Sequence, residues 1–305
     1  MRKRTISLFI AGFLLVNLLS ACGSSQPQTQ TQEPPAAPTE EQTNLSDRTP
    51  APQPPVQKQK PDAEPQSPDE APAAPQPEQP EYDFSQPVPE SEAVDNSYFE
   101  DAAFIGDSRT DGFLIYSGIG CGENLTSNGL SIFKLAEKKA ITIDGNQYTL
   151  LEALALKQYG KVYLSLGINE LGYYNDQGFY DSYCQAIDLI RESQPNAVIY
   201  IQGLIPLNED VIAETGGASY LKNDHLQIYN DLMKKAAEEK QVAFLDLNPV
   251  FADENGQLPR DASADGVHLR KAYCQQWLDY LKTHTVSYDT LYPSQENSAS
   301  SSAES

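Results

Sequence analysis

The sequence predicts an α/β domain built on a parallel β-sheet, lying between about Ser97 and Tyr288. In this stretch, short apolar segments alternate with amphipathic helical segments, and turn residues separate them. Such alternation is typical of right-handed βαβ units. The stretch holds about 190 residues, which is enough for one sizeable core. Parallel sheets carry their sites at the carboxyl ends of the strands, so candidate site residues are sought where the strands end.

The predicted elements follow one another along this domain. The first strand, at 103–107, ends in a turn, and a helix begins near Arg109. Further strands are predicted at 130–134, 162–166, 197–204 and 242–247, and further helices at 150–158, 179–193, 220–240 and 269–284. A β-hairpin is predicted at 140–149, because Asp144-Gly145 is a favoured pair for a tight turn.

The amino-terminal residues carry the pattern of an export signal. Three basic residues at 2–4 precede an apolar stretch at 6–19, which is too short for a comfortable membrane span. The stretch ends in Leu19-Ser20-Ala21-Cys22, which resembles the lipobox of bacterial lipoproteins. The resemblance implies a signal peptide over 1–21, lipid attached to Cys22, and anchoring to the extracytoplasmic face of the cell membrane. The alternative is an ordinary secretory signal whose cleavage site contains a cysteine by chance.

A proline-rich acidic segment follows the signal. Between Gly23 and Asn96 lie 17 of the 22 prolines, with 14 acidic residues against 3 basic ones. With almost no aliphatic side chains to bury, such a segment cannot offset the entropy lost on ordering. We expect a disordered linker over 22–96 that holds the domain away from the membrane, with a docking role for its prolines as the weaker alternative. A disordered, Ser-rich tail is expected at 289–305.

Charge and cysteine content exclude several classes of function. The formal net charge is −22, whereas nucleic acid binding requires a basic surface. Apart from Cys22, the three cysteines Cys121, Cys184 and Cys274 are too few for a disulfide scaffold. We expect buried free thiols, with one bridge as the open alternative. No spacing of Cys and His residues indicates a metal, no cofactor is expected, and the sequence leaves the oligomeric state open.

Four short motifs stand next to predicted strand ends or before the last helix. They are Gly106-Asp107-Ser108, Asn128-Gly129, Gly167-Ile168-Asn169-Glu170 and Asp265-Gly266-Val267-His268. Taken singly, each is explained by the preference of Gly, Asp, Asn and Ser for turns and helix caps. Taken together and in this order, they resemble the motifs of the SGNH/GDSL hydrolase superfamily. The resemblance covers about 104–281, which is nearly all of the predicted folded part.

This resemblance implies a fold and a set of roles. The fold is a flavodoxin-like, three-layer α/β/α sandwich with a five-stranded parallel sheet. Ser108 would be the nucleophile, His268 its base, and Asp265 the acid that orients the imidazole. The oxyanion hole would consist of the backbone N–H groups of Ser108 and Gly129 and the side-chain amide of Asn169. The types of residue suit these roles, because a serine hydroxyl needs an adjacent base and imidazole titrates near neutral pH.

Two departures from the family pattern leave roles open. Arg109-Thr110 follows the serine where the family often has leucine, and Glu170 stands where it usually has aspartate. Arg109 is open to two interpretations: it binds an anionic group beside the nucleophile, or it is solvated or salt-bridged. The other histidines lack such context; His225 lies near leucines on a helical face and is expected to be packed, and His284 has no assigned role.

The sequence therefore predicts a cell-surface serine esterase acting on a small-molecule or glycan ester, such as an O-acetylesterase of envelope glycans. An acyltransferase with the same three residues is the alternative enzyme, because a sugar hydroxyl can replace water as the acceptor. A binding module that keeps the fold without the activity is the alternative of a different class. Family resemblance alone does not select the substrate.

Overall fold

The computed structural model describes residues 82–293. The predicted signal peptide at 1–21, the lipidation site Cys22, the linker up to residue 81 and the tail beyond residue 293 lie outside the described residues. Within 82–293, no helix is both long enough and apolar enough to cross a membrane.

The centre of the domain is a five-stranded parallel sheet, and a separate antiparallel hairpin stands beside it. In chain order the strands are β1 (Ala102–Gly106), β2 (Glu123–Thr126), β3 (Lys139–Ile143), β4 (Asn146–Thr149), β5 (Lys161–Ser165), β6 (Val198–Gln202) and β7 (Ala243–Leu245). The central sheet has the order β2-β1-β5-β6-β7, and β3 pairs with β4. Counting only the sheet strands, this is the order 2-1-3-4-5 of a flavodoxin-like fold, so the predicted fold class is confirmed.

Residues 82–293 also form eight α-helices and four short 3₁₀ turns. The helices are α1 (Ser108–Tyr116), α2 (Leu150–Leu154), α3 (Asp176–Ser193), α4 (Glu209–Glu214), α5 (Asn223–Glu239), α6 (Asn248–Phe251), α7 (Lys271–Thr283) and α8 (Tyr288–Leu291). The 3₁₀ turns are Asn96–Phe99, Ile132–Lys134, Ile168–Glu170 and Arg260–Ala262. The short α4 and α6 were not predicted, because neither is long enough to display a helical period.

The two faces of the sheet bury different sets of side chains. On one face the aromatic rings of Phe104, Tyr163 and Tyr200, from three neighbouring strands, stack with centroids 4.9 and 4.6 Å apart. They share a core with residues of α1 and α7. On the opposite face Ile105 and Leu164 pack with residues of α3 and α5. This alternation follows from the two-residue period of a strand, and it produces the three predicted layers.

The second strand differs from the prediction. It was predicted at 130–134, but β2 lies at Glu123–Thr126, and Ile132–Lys134 is a 3₁₀ turn capped by Ser131. The reason is that β2 is an edge strand, paired only with β1, and it buries only Leu125. It therefore lacks the apolar run that marks an inner strand. Asn128-Gly129 consequently follows the carboxyl end of a strand.

Packing on the domain also starts earlier in the sequence than predicted. Residues 82–96, which we call the strap, pack on the domain although the sequence predicted a linker up to residue 96. Val88 is buried and donates its N–H to the carbonyl of Phe244 in β7 at 2.8 Å. The N–H of Ser91 donates to the carbonyl of Thr283 at 2.6 Å. The strap differs from the preceding segment because it carries aromatic and valine side chains, which join the core beneath α7.

Smaller features agree with the sequence only in part. The hairpin turn has positive φ at both central residues, 49° at Asp144 and 79° at Gly145, as a two-residue hairpin turn requires. At the other end, the prediction of a disordered tail from residue 289 is wrong at its start, because α8 is helical and its Leu291 is buried in the core. Cys121, Cys184 and Cys274 are free thiols, as expected, but only Cys274 is buried, whereas the other two are half-buried. Burial raises the pKa of Cys274 to about 11, so this thiol is protonated near neutral pH.

Candidate active site

The first site residue lies where β1 turns into α1. Ser108 is the first residue of α1, and Asp107 caps the helix by accepting a hydrogen bond from the N–H of Arg109 at 2.9 Å. A residue at this position keeps its own N–H free of intrahelical bonds, and the positive end of the helix dipole faces it. Ser108 is thus placed where negative charge is favoured.

A chain of hydrogen bonds joins three of the predicted residues. The Oγ atom of Ser108 lies 2.9 Å from Nε2 of His268. The other ring nitrogen, Nδ1, lies 2.7 Å from Oδ2 of Asp265. Both distances are within normal hydrogen-bond reach. With Nδ1 carrying the proton, the neutral ring presents an acceptor to the serine hydroxyl.

The loop before α7 fixes the carboxylate of this chain. Oδ1 of Asp265 accepts hydrogen bonds from the backbone N–H groups of Val267 at 2.9 Å and His268 at 2.8 Å. The hydroxyl of Ser263 lies 2.9 Å from the same oxygen. Burial opposes ionisation of Asp265, but hydrogen bonds from the His268 ring and from these backbone groups outweigh it. The pKa of Asp265 therefore lies well below its usual range.

The other side of the site is formed by the loop after β2. Gly129 has φ of +67°, a conformation that favours glycine. Its N–H and that of Ser108 find no acceptor among residues 82–293, so both donors remain available. The side-chain amide of Asn169 is engaged: Nδ2 donates to the carbonyl of Leu130 at 2.9 Å and to Oδ2 of Asp107 at 3.3 Å.

Glu170 holds the same loop from beneath. It is fully buried, and its Oε1 accepts a hydrogen bond from the N–H of Ile132. Together, Asn169 and Glu170 bind the backbone on both sides of Ser131, two residues after Gly129. Burial raises the pKa of Glu170 to about 7, against the lowering effect of the bonds from Ile132 and Ser131. Its Oε2 is buried and finds no partner among the described residues.

Two more charged groups are buried next to Ser108. Burial raises the pKa of Asp107 to about 6, although the N–H and the charge of Arg109 lower it. Arg109 is 7% exposed and donates from Nη1 to the carbonyl of Ile205 at 2.8 Å. Burial lowers the pKa of Arg109 to about 10, partly offset by the charges of Asp107 and Asp265. The structure therefore does not place Arg109 in solvent, and no ion pair within 82–293 includes it.

The remaining histidines lie outside this arrangement. His225 is buried, with Nδ1 2.8 Å from the carbonyl of Leu171 and Nε2 2.9 Å from Oδ1 of Asp176. Its ring stacks on Tyr174 with centroids 4.9 Å apart. Both ring nitrogens are thus occupied, as a packed histidine requires. His284 lies at the end of α7, with Nδ1 2.9 Å from the carbonyl of Tyr280.

An open cavity of about 310 Å³ adjoins the serine and the histidine. One face of α1 forms a wall, since positions three, four, seven and eight residues after Ser108 point the same way. These positions are Asp111, Gly112, Ile115 and Tyr116; the remaining lining residues are Arg109, Asn128, His268, Leu269 and Cys274. A separate cavity of about 150 Å³ beside α2 and α3 contains none of the predicted site residues.

Gly112 is unusual within this wall. It stands in the middle of a nine-residue helix, where glycine costs about 1 kcal/mol relative to alanine. It is not one of the glycines with positive φ. A Cβ atom built at Gly112 meets nothing within 4 Å. Neither backbone conformation nor packing therefore requires a glycine at this position.

Sequence reasoning missed three features of the site. Ser263 was overlooked because it lies outside the Asp-x-x-His motif. The wall formed by Ile115 and Tyr116 was missed, although their seven- and eight-residue spacing from Ser108 was visible in the sequence. The loop-holding contact of Glu170 had no signal, because it depends on the tertiary approach of Ile132.

A family model and a curated relative match this chain. The model of the GDSL-like Lipase/Acylhydrolase family matches residues 104–273, more than half of the chain. A curated relative, the isoamyl acetate-hydrolyzing esterase of Saccharomyces cerevisiae, is 28% identical over 119 residues, which are 38% of this chain and 50% of the relative. The chain thus spans about half the length of this curated relative.

Solved structures with a similar fold have lower identities. A protein from Streptococcus pneumonia, provisionally described as a platelet activating factor, is 22% identical with a TM-score of 0.49, covering 66% of this chain and 86% of its own. A peptidoglycan O-acetylesterase is 18% identical with a TM-score of 0.42, covering 53% of this chain and 45% of its own. By the extent of the family match, the chain belongs to the GDSL-like lipase/acylhydrolase family, whose members hydrolyse ester bonds.

Proposed function

We propose that this protein is a serine esterase in which Ser108, His268 and Asp265 form the catalytic triad. The observation that carries the proposal is the hydrogen-bond chain from Ser108 Oγ through both ring nitrogens of His268 to Asp265. Membership of an acylhydrolase family supports ester hydrolysis as the reaction. The open cavity gives a substrate access to the serine.

The first half-reaction acylates the serine. As Ser108 Oγ forms a bond to the ester carbonyl carbon, its proton moves to Nε2 of His268, and Asp265 stabilises the imidazolium. The carbonyl oxygen becomes an oxyanion, which accepts hydrogen bonds from the N–H groups of Ser108 and Gly129. Asn169 contributes its amide by giving up the longer of its two bonds, the one to Asp107.

Departure of the alcohol completes the acylation, and hydrolysis of the acyl-serine then restores the enzyme. Collapse of the tetrahedral intermediate breaks the bond to the alcohol oxygen, which takes the proton from Nε2 of His268. Water then attacks the acyl-serine while Nε2 of His268 accepts its proton. The second tetrahedral intermediate collapses by breaking the bond to Ser108 Oγ, which takes this proton back from His268, and the carboxylic acid is released. Because water is the acceptor, the net reaction is hydrolysis of one ester bond.

The substrate class we propose is an acetyl ester of a sugar in the cell envelope. The name of the curated relative supports an acetyl group as the acyl part. The predicted signal, lipobox and acidic linker support an enzyme anchored through Cys22 outside the cytoplasm. There, acetylated envelope glycans are the ester substrates within reach. A net charge of −22 disfavours an anionic polymer such as nucleic acid as a partner.

Replacement of the nucleophile tests the reaction. Ser108→Ala should abolish p-nitrophenyl acetate hydrolysis and labelling by a serine-directed organophosphonate, with an unchanged melting temperature. Ser193→Ala, which alters a hydroxyl bonded to the carbonyl of Ile190 at the end of α3, should change neither readout. Wild-type turnover by the Ser108→Ala protein would contradict the proposal. In the same assay, transfer of acetyl to added sugar without acetate release would identify a transferase.

Fractionation tests the proposed location. Cys22→Ala should release the protein from membranes or leave its signal uncleaved, because no sulfur remains to carry lipid. Its control is Cys121→Ala, which alters a cysteine of the folded domain and should leave membrane attachment unchanged. A Cys22→Ala protein that loses its signal and still fractionates with membranes is incompatible with lipid anchoring at this residue.

A further inference from the structure

The cavity beside the nucleophile has a side that the catalytic mechanism does not use. From Ser108 it continues along one face of α1, and we call this part the α1 groove: Asp111, Gly112, Ile115 and Tyr116. Ile115 and Tyr116 are 61% and 51% exposed, which is high for large apolar side chains on a folded domain. The groove is continuous with the site, so a ligand in it can reach Ser108.

The chemistry of ester cleavage decides which part of the substrate lies on this side. The leaving alcohol oxygen must be close to Nε2 of His268, since it takes the proton held there. The oxyanion lies on the side of Gly129. His268 and Leu269 line the same cavity as the α1 groove, so the alcohol portion leads from the reacting carbon into it.

The polar and apolar groups of the groove match a sugar ring. Tyr116 and Ile115 supply an apolar surface on which the non-polar face of a pyranose can pack. Asp111 supplies a carboxylate for hydroxyls: its Oδ1 accepts from Asn124 at 3.0 Å, and its Oδ2 has no donor among residues 82–293. A linear acyl chain has no donor to offer to Oδ2 of Asp111, whereas a sugar hydroxyl has one.

We propose that the α1 groove binds the alcohol portion of the ester, a sugar ring, and that Gly112 is a specificity-determining residue that keeps the floor of the groove clear. This proposal rests on the proposed esterase function. It explains why a helix carries a destabilising glycine where neither conformation nor packing requires one. A side chain at Gly112 points into the open space of the groove, where it would occupy the position of the ring.

Three esters separate the two sides of the substrate. Methyl acetate has a minimal alcohol and a minimal acyl group; a mono-O-acetylated methyl glucoside enlarges only the alcohol; methyl butyrate enlarges only the acyl group. Gly112→Leu should lower kcat/KM for the acetylated glucoside at least tenfold, mainly through KM, and leave the two methyl esters within twofold. Gly112→Ala should lower it less, by roughly threefold.

Stability should change in the opposite direction. Gly112→Ala replaces glycine inside a helix, so the melting temperature should rise by roughly 2–4 °C. If Gly112→Ala raises the melting temperature and lowers turnover of the acetylated glucoside alone, misfolding cannot explain the loss of turnover. Ile115→Ala should also lower kcat/KM for the acetylated glucoside several-fold, whereas Ile228→Ala, at an exposed isoleucine of α5 that does not line the cavity, should not.

The outcomes distinguish this inference from the function on which it rests. If wild type hydrolyses none of the esters, or Ser108→Ala retains activity, the proposed function fails. If wild type is active and Gly112→Leu lowers methyl butyrate turnover instead, the groove binds the acyl group and our assignment is wrong. Equal losses on all three esters, or no loss on any, would also overturn the assignment.

Discussion

The two halves of the site are built in opposite ways. The acid–base half is exposed: about half of the side-chain surface of both His268 and Asp265 is accessible to solvent. The other half, which we call the buried half, consists of the carboxylates behind the proposed oxyanion donors: Asp107 is 2% exposed and Glu170 is 0% exposed. Yet the exposed half is the fully hydrogen-bonded one, whereas the buried half leaves Oε2 of Glu170 without a partner among the described residues.

This comparison shows that hydrogen bonds and burial compete in setting the charge of a carboxyl group. Asp265 accepts several hydrogen bonds, and its pKa is lowered despite partial burial. Asp107 and Glu170 also accept hydrogen bonds, but these do not outweigh the effect of burial. Their pKa values therefore rise to about 6 and about 7. Asp265 therefore stays ionised beside the imidazole of His268 near neutral pH. The buried carboxyl groups of Asp107 and Glu170 instead titrate near neutral pH.

The largest expected effect comes from breaking the exposed half. His268→Ala should lower kcat/KM for p-nitrophenyl acetate by at least about 10³-fold, because the serine hydroxyl loses its base. Asp265→Ala should lose less, by roughly tenfold or more, since an orienting acid alone costs less than the base. His284→Ala is the matched control and should retain wild-type rate. Equal activity of the His268→Ala and His284→Ala proteins would show that His268 is not the base for Ser108.

A smaller effect is expected at Asn169, which donates to Asp107 of the buried half. Asn169→Ala should lower kcat by roughly 10²–10³-fold, the usual result of removing one oxyanion donor. The variant also loses the hydrogen bond to the carbonyl of Leu130, which holds the loop after β2. A change in KM for a small ester would therefore indicate that this loop has moved. A fall in kcat with unchanged KM supports direct donation to the oxyanion. A rise in KM alone would assign Asn169 to loop positioning.

The smallest effect concerns stability rather than rate. The pKa of Glu170 is raised from 4.5 to about 7 by folding, so the folded state binds this proton more tightly than the unfolded state. The free energy of unfolding should then fall as pH rises from about 4.5 to 7, by roughly 3 kcal/mol for this group. Glu170→Gln should remove that part of the slope, while Asp107 continues to contribute in both proteins. Parallel pH profiles from urea unfolding would show that Glu170 ionises freely in the folded protein.

The sequence predicts the exposed half better than the buried half. Asp265 and His268 are three residues apart, so their contact is local and the motif contains it. The partners of Glu170 and Arg109, Ile132 and Ile205, are 38 and 96 residues away, and no local pattern indicates them. Charged residues are also expected at the surface, because burying them is costly unless they are paired.

The same distinction explains the errors in the fold. Inner strands such as β5 and β6 are continuous apolar runs, and they were placed within one or two residues. The edge strand β2 is polar, and an apolar stretch at 130–134 that packs as a 3₁₀ turn was mistaken for it. The strap was assigned to the linker because its few apolar residues follow a proline-rich segment without a break in composition.

The strap also covers one open edge of the central sheet. Open strand edges are templates for pairing with another chain, and proteins cover them or make them polar. The edge at β2 is polar. At the other edge, β7 has the sequence Ala243-Phe244-Leu245, and its outward carbonyl at Phe244 is bonded to Val88 of the strap. A chain shortened to residue 97 would expose this apolar edge and should aggregate, whereas one beginning at residue 82 should remain monodisperse.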